Sequence, residues 1–128
     1  MARETEDHAL DAETVQAGVA KLFDSPQHGF YLVVESEGAV VGSLMITHEW
    51  SDWRDGLWWW IQSVYVVPNF RRQGVFSALY REVTTLARQD DRICGLRLYV
   101  EKDNTNAQQV YAHLGMSEAP YRVYEQLF

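Results

Sequence analysis

Apolar side chains recur along this chain with two different periods, and each change of period marks a new element. Val15, Val19 and Leu22 share one face of a helical wheel, which predicts a helix over 12–23, opened by Asp11 as N-cap and ended by Ser25-Pro26. Residues 30–35 and 39–48 are rich in β-branched and aromatic side chains and flank Ser36-Glu37-Gly38, the pattern of an antiparallel hairpin. Residues 58–67 are almost wholly aromatic and β-branched, as in a central strand covered on both faces, and Pro68 removes a ladder donor and stops it. Phe76, Leu79, Val83 and Leu86 return to helical spacing and predict a helix over 75–89. Asp90-Asp91-Arg92 turns the chain into a strand at 96–100, a helix over 105–114 ends at Gly115, and 121–128 supplies a last strand. A strand, helix and strand in succession imply a right-handed crossover and a parallel pair. The expected fold class is therefore mixed α/β: a mostly antiparallel sheet with one parallel pair and helices on both faces.

Two aromatic stretches need a decision. On a strand, Trp58 and Trp60 face one side and Trp59 the other, so the three cannot form one flat platform and are assigned to the core. The segment from His48 to Gly56 carries Glu49, Asp52 and Asp55 among Trp50 and Trp53. Its composition predicts a solvated loop whose aromatics fold back on the core.

The chemistry concentrates between the central strand and the helix that follows, in Arg71-Arg72-Gln73-Gly74-Val75-Phe76. A helix start leaves unpaired N–H groups and a partial positive charge, and a glycine there lets a ligand approach the backbone. With two arginines beside it, the turn suits a diphosphate; by spacing alone, a plain helix start with solvated arginines fits as well. This hexapeptide resembles the pyrophosphate loop of the GNAT (Gcn5-related) N-acetyltransferases, Gln/Arg-x-x-Gly-x-Gly/Ala after a strand ending in Val-x-Pro, here Val66-Val67-Pro68. Phe76 departs from it, standing where Gly or Ala is usual. A second block, from Asn104 through Ala107 and Tyr111 to Gly115-Met116, is similar to the family's Asn-x-x-Ala-x-x-x-Tyr-x-x-x-Gly-Phe/Met helix. Two motifs in the right order and at the right separation are more specific than either alone, and the resemblance covers about residues 11–128.

The resemblance implies an acyltransferase that moves an acetyl group directly from acetyl-CoA to a primary amine of a polyamine- or amino-acid-like small molecule. Carried over, the amides of Gln73, Gly74, Val75, Phe76 and Ser77 hold the pyrophosphate, and Arg71 and Arg72 add charge. Val64 and Val66 bond the pantetheine as an added strand, the Val66 N–H polarises the thioester carbonyl, and Asn104 contacts the coenzyme. Tyr111 protonates the departing thiolate; without the motif it reads as a packed aromatic on one face with Ala107, Val110 and Leu114. In such proteins the 48–56 loop opens near the acceptor pocket, which makes Glu49 and Asp52 candidate bases and, with Trp50, Trp53 and Gln62, candidate acceptor contacts. The run Gln62-Ser63-Val64-Tyr65-Val66 is similar to the spermidine/spermine acetyltransferase branch, where a Glu stands at the position of Gln62; glutamine cannot take a proton. The family's usual first strand and helix are not found here. Either the start is shortened, with residues 1–10 a remnant, or a second copy covers an exposed sheet edge, and a homodimer is expected. Protein lysine or N-terminal acetylation, or a non-catalytic acyl-CoA-binding module, are the alternatives.

Composition agrees with this picture. One domain spans residues 1–128, with 47% hydrophobic content. A net charge of −7 and a pI near 4.9 argue against a nucleic-acid partner, whose phosphates would be repelled, and suit a cationic substrate. No apolar run is long enough to span a membrane and the polar start lacks a signal-peptide core, so a cytoplasmic protein is expected. Cys94 is the sole cysteine and is expected to be a half-buried, inert thiol. The four histidines are scattered without ligand spacing, so no metal is expected.

Overall fold

A computed structural model describes residues 11–128; the expected remnant of an earlier strand and helix falls in residues 1–10, outside the described residues. The elements are α1 (Ala12–Asp24), β1 (Gly29–Ser36), β2 (Ala39–Ser51), β3 (Gly56–Val66), α2 (Val75–Arg88), β4 (Ile93–Leu98) and α3 (Thr105–His113), with one 3-10 turn at Pro68–Phe70. The strands form a single sheet in the order β1-β2-β3-β4. β1, β2 and β3 run antiparallel in succession, whereas β3 and β4 are parallel and α2 makes the crossover between them. Glu37 and Gly38 close the β1–β2 hairpin with φ values of 52° and 83°, the pair of positive dihedrals that matches the twist of the flanking strands.

The core follows from the two periods. Leu79, Val83 and Ala87 of α2 pack on Leu44 and Ile46 of β2 and on Trp59 and Ile61 of β3, with Phe30, Leu32, Val34, Leu96 and Leu98 at its flanks. At the far side of the sheet α1 reaches β1, where the rings of Phe23 and Tyr31 lie 5.3 Å apart. The sheet and α2 approach most closely at Gly42, where an added Cβ would lie 2.6 Å from Val75 Cγ1. That contact fixes where α2 begins.

The mixed α/β fold class agrees with the sequence, and several details do not. β2 runs to Ser51, so Glu49 and Trp50 are strand residues opposite Trp58 and Leu57, and the expected loop over 48–56 shrinks to a turn. The aromatic start of β3 supplies cross-strand partners that outweigh the polar composition. β4 occupies Ile93–Leu98 instead of 96–100, because the Leu57 N–H donates to Arg92 O (2.7 Å) and starts the parallel ladder early. Residues 121–128 form no strand, since none of the described strands runs beside them. Cys94 is exposed rather than half-buried, being on a strand at the end of the sheet. Of the three tryptophans only Trp59 enters the core; Trp58 and Trp60 lie on the opposite face.

Candidate active site

Strand β3 changes character at its middle. From Leu57 to Ile61 it is paired on both sides, but the ladder with β4 ends at Ile61–Leu98. Beyond this point the register with β2 jumps, from Met45–Gln62 to Ser43–Tyr65, so three steps on β3 match two on β2. Ser63, at φ 50°, is the extra residue of this bulge, which re-aims the strand. The Val67 N–H donates to Val41 O at 2.9 Å. Alternation therefore turns the backbone groups of Val64 and Val66 away from β2, toward the edge that β4 has left. Arg71 Nε donates to Val66 O at 2.8 Å and its guanidinium lies 5.6 Å from the Tyr65 ring centre, which ties the next loop to the end of β3. No strand reaches the Val66 N–H among the described residues.

The loop then delivers a helix start to the same gap. Arg72 takes φ 62° and Gly74 φ 80°, the left-handed region that a glycine enters without strain. An added Cβ at Gly74 would meet nothing within 4 Å, so the space outside this turn is open. The first helical bond is Ala78 N–H to Gly74 O at 3.0 Å, and no side chain caps the helix. The N–H groups of Val75, Phe76 and Ser77 accordingly have no acceptor within the helix and point toward a positive helix end. Gln73 Nε2 donates to Asn69 O at 2.9 Å and pins the loop, while Arg72 is exposed. The predicted diphosphate residues are thus brought together around one open turn.

Helix α3 docks beside this turn. The ring of Phe76 meets that of Tyr111 edge-on, with centres 5.6 Å apart, so the residue that departs from the family pattern packs against the predicted proton donor. Burial raises the Tyr111 pKa above the ordinary tyrosine value, so the phenol is protonated at neutral pH. Asn104 Oδ1 accepts from the Ala107 N–H at 3.2 Å: the side chain expected to contact coenzyme caps α3 in this structure.

The face opposite α2 carries a shelf that sequence reasoning missed. Arg97 lies 3.8 Å from the Trp58 ring centre, and Trp60 stacks on Tyr99 at 4.4 Å. Trp60 Nε1 donates to Glu49 Oε1 at 2.8 Å, and Arg97 Nη1 approaches Glu49 Oε2 at 3.4 Å. Gly95 makes room, since a Cβ there would lie 2.5 Å from the Trp58 ring. Gln62 donates to Thr47 Oγ1 two residues beyond Trp60, where the gap begins. The available signal was the alternation Arg97-x-Tyr99, which the parallel register, Trp58 with Gly95 and Trp60 with Arg97, sets one pair further along than Trp58-x-Trp60.

The acidic candidates are placed differently. Glu49 pairs with Trp58 and Val66 with Gly42. Gly42 and Glu49 are seven steps apart along β2, about 23 Å at the rise of a strand. Glu49, a candidate base, therefore lies at the opposite end of β3 from the Val66 N–H and beside Trp60. Asp52 and Trp53 lie farther still, in the turn after β2, and Trp53 is 87% exposed.

An open strand edge that runs into an uncapped, glycine-led helix start is the layout of a protein that binds an acyl-CoA. The model of the acetyltransferase (GNAT) family matches residues 2–116, and this chain belongs to that family. It is similar to a possible acetyltransferase from Clostridium difficile 630, with 42% identity and a TM-score of 0.92 over 99% of this chain and 84% of that one. An aminoglycoside antibiotic 6'-N-acetyltransferase from Acinetobacter haemolyticus has the same fold at 19% identity (TM-score 0.73, 94% of this chain and 84% of that one). So does AAC(6')-Iy, solved in complex with the bisubstrate analog CoA-S-monomethyl-acetylneamine, at 16% identity (TM-score 0.77, 92% and 81%). No curated protein matches the sequence significantly. The chain is an N-acetyltransferase of the acyltransferase class, and its family uses acetyl-CoA. Among the described residues no group of three or more His, Cys, Asp or Glu could hold a metal ion, and no helix is long and apolar enough to cross a membrane.

Proposed function

We propose that this enzyme transfers acetyl from acetyl-CoA directly to a primary amine of a small, cationic acceptor, and that it works as a homodimer. The observation that carries the reading is the opened edge of β3 at Val64 and Val66, which leads straight to the helix start at Gly74. The edge takes the pantetheine as an added strand, and the amides from Gln73 to Ser77 with Arg72 take the pyrophosphate. The Val66 N–H steadies the negative charge that grows on the thioester oxygen as the amine nitrogen attacks. The C–N bond forms, the C–S bond breaks, the thiolate takes the proton of Tyr111, which burial keeps on the phenol, and the surplus proton of the new amide nitrogen returns to the tyrosinate through water.

The acceptor lies along the Trp60–Tyr99 shelf, with Gln62 nearest the reacting carbon. Glu49 holds Trp60 and, 43% exposed in a long 3.4 Å pair with Arg97, presents a carboxylate at the far end that a second cation of an elongated acceptor would share with Arg97. The overall charge of −7 favours the same class. A lysine-like amine of pKa about 10.4 must enter neutral, which at pH 7 costs roughly 4.6 kcal/mol; desolvation against the two rings lowers that cost. Tyr99 is 59% exposed, so the shelf is open, and this supports a second reading in which the amine belongs to a peptide.

Calorimetric titration with acetyl-CoA, together with thiol release over polyamines, amino acids, amino sugars and lysine peptides, tests the proposal. Arg72→Ala is expected to weaken acetyl-CoA binding about 10- to 100-fold, the loss of a charge-assisted contact of about 1.5–3 kcal/mol. Tyr111→Phe is expected to lower kcat about 100-fold at unchanged affinity. In the intact enzyme Tyr111 should cause no loss of kcat below about pH 10, because its pKa is raised and the acid form persists. An intact protein that does not bind acetyl-CoA overturns the reading.

A further inference from the structure

We propose that the acceptor is a free diamino acid: Arg97 takes its α-carboxylate, Glu49 takes its α-ammonium, and its ω-amine is acetylated. The proposal rests on the transferase reading above and makes Arg97 the residue that sets acceptor specificity.

Two opposite charges meet at the far end of the shelf without satisfying each other. Arg97 Nη1 stands 3.4 Å from both oxygens of Glu49, beyond the roughly 2.8 Å of a charge-assisted hydrogen bond. Its Nε and Nη2 have no hydrogen-bond partner among the described residues. The guanidinium is held all the same, 3.8 Å from the ring centre of Trp58 and 6.0 Å from that of Trp60. A guanidinium fixed through its face keeps the donors along its edge for a carboxylate. Glu49 is fixed as well, since Oε1 accepts from Trp60 Nε1 at 2.8 Å. The side chains of Arg97 and Glu49 are 29% and 43% exposed, so a ligand can reach both. Arg54 brings a second guanidinium 5.1 Å from Trp58, and among the described residues no ion pair joins it or Arg97 to Asp52 or Asp55.

A ligand that enters this corner with one charge also meets the wrong one. An ammonium alone is drawn to Glu49 and repelled by Arg97, and a carboxylate alone suffers the reverse. An α-amino acid head carries both charges on one carbon and answers both. The rest of the molecule fits the shelf. Its methylenes lie on Trp60 and Tyr99, whose rings stack at 4.4 Å. Gln62, nearest the reacting carbon, is two residues beyond Trp60, about 6.6 Å along the strand, within reach of a lysine or ornithine side chain. The α-nitrogen stays a cation beside Glu49 and has no lone pair with which to attack. The ω-ammonium gives one proton to solvent and its nitrogen attacks the thioester. The C–N bond forms, the C–S bond breaks, and a second proton passes through Tyr111 to the leaving thiolate. Such an acceptor keeps a net positive charge, whereas a lysine inside a peptide lacks both charges of the head.

Thiol release at saturating acetyl-CoA tests this on the intact enzyme with lysine, ornithine, cadaverine, which lacks the carboxylate, and Nα-acetyl-lysine, which lacks the α-ammonium. The better of the two diamino acids should exceed each of the other two acceptors at least tenfold in kcat/KM, and NMR of the product should place acetyl on the ω-nitrogen. Arg97→Gln should cut the preference over cadaverine at least tenfold and Arg97→Lys less, while Glu49→Gln should cut the preference over Nα-acetyl-lysine. Acetyl-CoA affinity, kept in all three variants, reports that they are folded. Cadaverine or Nα-acetyl-lysine used as well as the diamino acids, or acetyl on the α-nitrogen, overturns the proposal. An Arg97→Gln enzyme that slows every acceptor alike reduces Arg97 to packing on Trp58 and overturns its part. Acetyl-CoA binding without turnover of lysine or ornithine overturns this inference alone, whereas no acetyl-CoA binding by the intact protein overturns the transferase reading beneath it.

Discussion

The two halves of β3 have similar compositions and opposite jobs. From Leu57 to Ile61 every backbone group lies between two strands, and Trp59 and Ile61 fill the core beneath α2. From Gln62 to Val66 one edge is open, a bulge redirects the chain, and the amides face a gap that ends at a helix start. The side chains of Val64 and Val66 would serve equally well in either half. What separates the halves is the point at which β4 leaves the ladder, so the proposed coenzyme edge arises from interrupted pairing more than from residue type.

Substitutions can break this contrast from either side. Trp59→Ala strikes the closed half and should have the largest effect, a loss of about 3–5 kcal/mol from an unfilled core site, read from urea unfolding. Gly42→Ala acts where the halves meet. Its methyl would press on Val75, so stability should fall by about 1–3 kcal/mol and acetyl-CoA affinity should fall with it as the start of α2 moves. A Gly42→Ala protein that is destabilised yet binds acetyl-CoA normally would show that the helix start is positioned by its loop alone. Glu49→Gln keeps an acceptor for Trp60 and removes the charge. It should raise the KM of a dicationic acceptor roughly tenfold, about 1.4 kcal/mol, and leave acetyl-CoA affinity untouched. An unchanged KM in steady-state assays would remove Glu49 from the acceptor site.

Much of the closed half could be read from periodicity. The helical spacing of Leu79 and Val83 and the alternation around Trp59 both reflect burial, and burial selects side chains directly. The helix start at Gly74 was legible because that residue occupies a conformation that few others tolerate. The bulge at Ser63 was not, since serine leaves no mark of the left-handed backbone it adopts there. The shelf was hidden for another reason: Arg97 and Tyr99 meet Trp58 and Trp60 only through the register of a parallel pair, which depends on where β4 begins. The acidic segment misled in the same way, because cross-strand pairing of Glu49 and Trp50 is a property of two strands, not of one composition. The final segment has strand-like composition and no strand beside it in a single chain.

On the proposed reading, the coenzyme side of the gap is lined chiefly by main-chain N–H groups, whereas the acceptor side is lined by the side chains of Trp58, Trp60, Arg97 and Tyr99. Main-chain donors persist through almost any replacement, so the two sides differ in how freely they can be rewritten. A library randomised at those four positions would change what is acetylated while retaining the donor half of the reaction, which makes this scaffold a starting point for directed evolution of new acceptor ranges.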